Sequence, residues 1–140
     1  MQQPHLSPHQ HQALVQAARA ARDKAYAPYS QFLVGAAVID DLGQVHAGCN
    51  VENAAYPQGV CAEAGALSAM VLAGGKRAVA VAVVGTGAAW ITPCGGCRQK
   101  LREFCALDVP IVSATMDAIG PTRTLAELLP ESFGPDHLTP

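Results

Sequence analysis

Val79-Ala80-Val81-Ala82-Val83-Val84 is an unbroken apolar run that stops at Gly85. A strand with no polar alternation is covered on both faces, so helices must lie above and below the sheet it belongs to. Six residues also fall far short of the roughly 20 needed for a membrane span. Working outward, Gly74-Gly75 ends a helix over Cys61 to Ala73 that is apolar on every side and rich in Ala and Gly. Such a helix is buried centrally or covered by another subunit. On the other side, Thr92 as N-cap and Pro93 at the first position open a helix running to about Cys105. Val109 to Ala114 is the next strand, and Leu125 to Leu129 a short final helix.

Toward the N-terminus, Phe32 to Ile39 and Gln44 to Cys49 flank the turn residues Asp40-Asp41-Leu42-Gly43, which reads as a hairpin. Ser7-Pro8-His9-Gln10 is a capping box. It opens a helix of about five turns in which Leu14, Ala17, Ala18, Ala21 and Ala25 repeat at helical spacing until Pro28. Residues 1–6 read as a frayed, solvated end, and the histidines at 5, 9 and 11 as part of it. Hairpin, helix, strand, helix, strand gives a three-layer α/β/α sandwich on a mixed sheet of about five strands. It is one domain over residues 1–140, with at least two crossover units expected to be right-handed.

Composition narrows the chemistry. Nine Lys and Arg against eleven Asp and Glu leave a net charge of −2, without the basic surface that a polynucleotide partner demands. Five cysteines, an odd number, in a chain with no secretory apolar region after Met1 read as reduced thiols in the cytoplasm, with no membrane partner.

Two short segments hold the chemistry: Cys61-Ala62-Glu63, and Pro93-Cys94-Gly95-Gly96-Cys97. Both sit at expected helix N-termini, where free N–H groups lower a thiol's pKa and poise it for a metal. Cys94 and Cys97, three apart, share a helix face. In an α/β sheet such N-termini converge at the carboxyl ends of the strands. Cys61, Cys94 and Cys97 then make three ligands to Zn²⁺, the count of a catalytic site that keeps a position for water. Glu63 is placed to shuttle a proton without ligating the metal. This joint pattern is that of the zinc deaminases. Other readings are a redox Cys-x-x-Cys pair, half of a structural zinc knuckle, or a closed four-thiolate site that recruits Cys49. Cys105 reads as core.

With these motifs the chain resembles the cytidine deaminases, in particular their short homotetrameric form. The resemblance covers nearly the whole chain: Ala27-Pro28-Tyr29-Ser30, Phe32, Val34-Gly35-Ala36-Ala37, Gly48-Cys49-Asn50-Val51-Glu52-Asn53-Ala54-Ala55-Tyr56, Cys61-Ala62-Glu63, Pro93 to Gln99, and Glu127 to Phe133. It implies one Zn²⁺ per subunit on Cys61, Cys94 and Cys97, with Glu63 catalytic. It also implies that Asn50 and Glu52 hold the ribose hydroxyls, Phe32 packs against the nucleoside, the Ala62 backbone contacts the base, and Phe133 reaches a neighbour's site in a homotetramer. Asn50 and Glu52 alternate onto one side of an extended segment and can donate to and accept from a hydroxyl pair. An isolated Asn there would instead read as an Asx turn. Phe133, taken without the resemblance, would read as an anchor for the C-terminal tail.

Two positions depart from the family pattern. Leu33 replaces a common Pro, and Ala64 stands where the short form usually has an Arg that hydrogen-bonds the zinc thiolates, leaving helix N–H groups and Arg98 to relieve the sulfur charge. The implied reaction is hydrolytic deamination of cytidine and 2′-deoxycytidine to uridine and 2′-deoxyuridine with release of ammonia, a step of pyrimidine salvage. The alternatives are a deaminase of a modified cytosine nucleoside such as an aminonucleoside antibiotic, or a non-catalytic zinc module.

Overall fold

The computed structural model describes residues 6–138. The expectation of a frayed end therefore lies outside the described residues for 1–5, but Leu6 packs against the core. α1, Pro8–Arg22, carries the expected capping box: the Ser7 side chain accepts from the Gln10 N–H, and the Gln10 side chain accepts from the Ser7 N–H. The helix is shorter than the spacing suggested, and Ala25 lies outside it. The chain leaves the helix because Tyr26 pairs with the segment after the hairpin: its N–H donates to the Asn50 carbonyl and its carbonyl accepts from the Glu52 N–H.

The hairpin is β1, Gly35–Asp40, with β2, Val45–Cys49. β1 starts three residues later than expected. Residues 32–34 are held mainly by side-chain bonds: Asn50 Oδ1 accepts from the Val34 N–H and Asn50 Nδ2 donates to the Phe32 carbonyl, while one backbone bond, from the Asn50 N–H to the Val34 carbonyl, joins the same two segments. α2, Ala62–Leu72, leads to β3, Ala78–Val84. Then α3, Gly95–Phe104, leads to β4, Pro110–Ala114. β5, Ile119–Thr124, and α4, Leu125–Leu128, complete the order. β5 went unread in the sequence because Gly120 and Pro121 obscure it. It is an edge strand paired only with β4, where a proline is tolerated.

The sheet order is β2-β1-β3-β4-β5. β1 is antiparallel to both β2 and β3, and β3 is parallel to β4. β2 and β3 therefore run the same way on either side of β1, so β2-α2-β3 and β3-α3-β4 are both crossovers between parallel strands. Alternation along β1 divides the core. Ala36 and Val38 face α2 and α3 with Leu67, Met70 and Leu101, while Ala37 and Ile39 face α1 with Leu14, Val15 and Ala18. This is the expected α/β/α sandwich with five strands.

One glycine fixes the helix that matters most. A Cβ on Gly48 would lie 2.3 Å from the Ala66 nitrogen and 2.7 Å from the Ala62 carbonyl oxygen, so only glycine lets α2 press directly onto β2. No helix among the described residues is long and apolar enough to cross a membrane.

Candidate metal centre

Cys61 is the N-cap of α2 and Cys94 the N-cap of α3. The α3 start differs from the Thr92-Pro93 reading by two residues. Thr92 instead accepts from Arg98 Nη2 at 2.8 Å, and the backbone N–H of Cys97 faces the Cys94 sulfur. Because β2 and β3 are parallel, the helices that follow them begin at the same end of the sheet. Their N-termini meet there, and the sulfurs of Cys61, Cys94 and Cys97 lie within 4.8 Å of one another. Cys49 is not in that group, so the four-thiolate reading fails. Its strand ends beneath α2, with Gly65 against its backbone. Cys105 is buried and its thiol is pushed up to about 12 by burial, which leaves it an inert core residue. His9 and His11 join no metal-ligating group among the described residues.

The three thiols are not equally poised, contrary to the expectation that helix N-termini would favour ionisation in all of them. Cys94 is lowered, chiefly by the Cys97 N–H. Cys61 and Cys97 are raised, first by burial and then by the neighbouring acidic groups, Glu63 included. Three sulfurs and a carboxylate crowded at a partly buried site resist sharing negative charge, and a divalent cation supplies what they lack. The edges of a tetrahedron with Zn–S bonds of about 2.3 Å, roughly 3.8 Å, fall inside the observed limit. The donor set thus fits one Zn²⁺ with three protein ligands.

Glu63 lies in the first turn of α2 and is 4% exposed. Burial pushes its carboxyl above the ordinary carboxylate range, opposed by its own N–H, the Cys97 thiol and the charge of Lys100. A carboxyl raised in this way accepts a proton more readily than a solvated one. Ala62, just before it, is fully buried.

Arg98 does not serve the sulfurs. Its Nε donates to the Pro93 carbonyl at 2.7 Å, Nη1 to the Leu128 carbonyl at 2.7 Å and Nη2 to Thr92, so it fastens the α3 entry to α4. With Ala64 beside Glu63 in the first turn of α2, relief of the sulfur charge falls to backbone N–H groups such as that of Cys97. Leu33 donates its N–H to Thr86 Oγ1 and accepts from the same hydroxyl.

The other expected site residues are distributed more widely. Phe32, 38% exposed, packs against Gly85, where a Cβ would come within 3.0 Å of its ring, and Asn50 holds its carbonyl. Asn50 spends one donor and one acceptor on this scaffold, which is neither the Asx turn nor a free amide; one N–H and one lone pair remain. Glu52 accepts from the Tyr29 and Ser30 N–H groups and from the Ser30 hydroxyl, which hold its carboxyl below the usual range. Glu52 also borders a cavity of about 360 Å³ with Tyr29, Ser30, Asn53, Tyr56 and Gly59. The role of Ser30 went unread, though it lies in the quoted Ala27-Pro28-Tyr29-Ser30 motif. Phe133 is not gathered with these groups. It sits on the C-terminal segment, 56% exposed, its ring stacked on His137. An anchor would be buried, so that reading is not supported.

Comparison with known proteins agrees with this arrangement. Residues 8–113 match the family model described as the cytidine and deoxycytidylate deaminase zinc-binding region. Cytidine deaminase from Sporosarcina psychrophila is 38% identical over 126 residues, 90% of this chain and 93% of that one. Cytidine deaminase from Mycobacterium tuberculosis is 43% identical over 114 residues, 81% of this chain and 82% of that one. A crystal structure of the Mycobacterium tuberculosis enzyme matches with a TM-score of 0.78 at 40% identity, covering 88% of this chain and 96% of the other.

Proposed function

Since the chain belongs to the cytidine and deoxycytidylate deaminase family, we propose that it hydrolyses cytidine and 2′-deoxycytidine to uridine and 2′-deoxyuridine with release of ammonia. The observation that carries this reading is the meeting of three cysteine sulfurs with one buried carboxyl, Glu63, where α2 and α3 begin. Cys61, Cys94 and Cys97 would hold Zn²⁺, which would supply Lewis-acid activation of water when bound. Glu63 takes a proton from the attacking water and delivers it to N3 of the base as the oxygen bonds to C4; it then takes the second proton from that oxygen and delivers it to the amine, which leaves as ammonia when the C4–N bond breaks. Its burial supports this role, because a dry carboxyl is a strong proton acceptor.

Asn50 and Glu52 take the ribose hydroxyls, Phe32 lies against the nucleoside, and the Ala62 backbone meets the base. Glu52 is supported by its place on the cavity wall, and Asn50 by its remaining donor and acceptor. The whole chain acts as one domain, a cytoplasmic enzyme of pyrimidine salvage that assembles as a homotetramer in which Phe133 contacts the base in a neighbour's site. Assembly is supported by α2, which leaves Val71 and Leu72 exposed beside its buried face. The relatives are named for cytidine, so a modified cytosine nucleoside is not favoured. The test is ammonia release by zinc-replete enzyme from cytidine, deoxycytidine, cytosine, CMP and a cytosine antibiotic. The two nucleosides should react and the others should not; turnover of the antibiotic alone would reverse the assignment.

A further inference from the structure

α3 serves the metal group at its N-terminus and grips a different segment further along. Gln99 Nε2 donates to the Phe133 carbonyl at 3.0 Å. One turn on, Arg102, only 9% exposed, donates from Nε to Ser132 Oγ at 2.8 Å and from Nη2 to Asp136 Oδ1 at 2.6 Å. One guanidinium therefore spans the residues on both sides of Phe133. Gly134 lies flat against it: a Cβ there would sit 2.3 Å from Arg102 Cζ. The Gly134 backbone is extended, at φ −157°, so close approach and not backbone freedom demands glycine.

The loop is also constrained from within. Glu131 adopts φ +52°, a left-handed conformation that a side-chain-bearing residue takes only where its surroundings impose it. The Gly134 N–H donates to His137 Nδ1 at 3.0 Å, and the His137 ring stacks on Phe133 at 5.3 Å between centroids and 16° between planes. These contacts hold a large apolar ring in a fixed pose while leaving it 56% exposed. Stacking with His137 covers one face of the ring and leaves the other for a flat partner.

We infer that Arg102, through Ser132 and Asp136, is a positioning residue that presents Phe133 to the nucleoside base in a neighbouring subunit. The inference rests on the proposed shared site. Arg102 touches no reacting atom. Holding the ring ready before substrate arrives removes an ordering cost from binding, so its loss raises KM and leaves kcat in place.

The experiment uses full-length, zinc-loaded enzyme carrying Arg102→Gln, Asp136→Asn or Gly134→Ala, each alone and combined with Phe133→Ala. Asp136 is an exposed side chain and Gly134→Ala removes no group, so these two keep the test available if Arg102→Gln fails to fold. Each single variant is expected to raise KM for cytidine about tenfold, with kcat within about twofold and with zinc content and assembled mass unchanged. In the Phe133→Ala background the same substitutions should add nothing, because they act through one ring. Unchanged KM in Asp136→Asn and Gly134→Ala, with KM raised by Phe133→Ala, would overturn the latch and leave the shared site standing. A further full-sized loss in the Phe133→Ala background would make Arg102 a structural part of α3 and overturn it too. Unchanged KM in Phe133→Ala alone would remove the shared site, and the latch with it.

Discussion

Glu63 lies two residues from Cys61 and within reach of the Cys97 thiol, and its proposed role in proton transfer requires that it not bind the metal. Glu63→Gln keeps the size and burial of the side chain and removes only its capacity to hold a proton. The variant should retain zinc and fold while losing about 10²- to 10⁴-fold in turnover, read by ammonia release and metal analysis. Cys49→Ser, by contrast, should leave the zinc content at one equivalent, since Cys49 lies outside the sulfur group. At this scale the metal group was legible, because three thiols and a glutamate at fixed offsets from two helix starts make a pattern that packing alone has no reason to produce. Asn50 was only half legible. Its type and spacing suit a sugar, but that its amide also fastens the segment before β1 depends on residues 32–34, sixteen and more positions away.

The β1–β2 hairpin contains another buried ionisable group, Asp40, with its partner His46. Asp40, 2% exposed, accepts from the N–H groups of Leu42 and Gln44 at 2.9 Å and pairs with His46 Nε2 at 2.7 Å. The His46 bond first, then the two backbone donors, lower its pKa from 3.8 against the opposing effect of burial. A carboxyl lowered on folding contributes stability that is complete above its unfolded value and is lost as the pH falls through the lower native one. Asp40→Asn should therefore destabilise the protein by about 2 kcal/mol near neutrality, with the deficit shrinking below pH 4 as the wild type protonates. Urea melts at pH 7, 5 and 3 would check this; a deficit that grew with acid would contradict the sign. The turn at Asp40-Asp41-Leu42-Gly43 was legible from its residue types. The partnership of Asp40 with His46 was not, because it forms across the hairpin only once the register is set. Elements also slipped at their ends: α1 gave up Ala25 to a bridge at Tyr26, and α3 began at a cysteine cap.

For the molecule as a whole, the exposed apolar residues bear on the proposed assembly. Val51, Tyr56, Val60, Val71, Leu72 and Phe133 are all at least 46% exposed and available to a neighbouring subunit. Light scattering should give four subunits. Mixed assemblies of Phe133→Ala and Glu63→Gln subunits should be more active than the sum of the separate variants. Some sites would then join an intact Glu63 to an intact Phe133 from the other variant. Equal activity of mixed and separate preparations after subunit exchange would exclude a shared site.

The sequence alone determined what is local and periodic: a strand covered on both faces, a capped first helix, a hairpin turn, and cysteines at the heads of two helices. These follow from backbone repeats and capping chemistry that act over a few residues. The tertiary structure decided which of those pieces meet. The order β2-β1-β3 places two parallel strands on either side of an antiparallel one, so α2 and α3 start at the same end and three sulfurs converge while Cys49 stays outside. Gly48 allows the close approach of α2, and Arg102 holds Phe133 out toward solvent. Both depend on contacts between residues distant in the chain, whose energies no local pattern encodes.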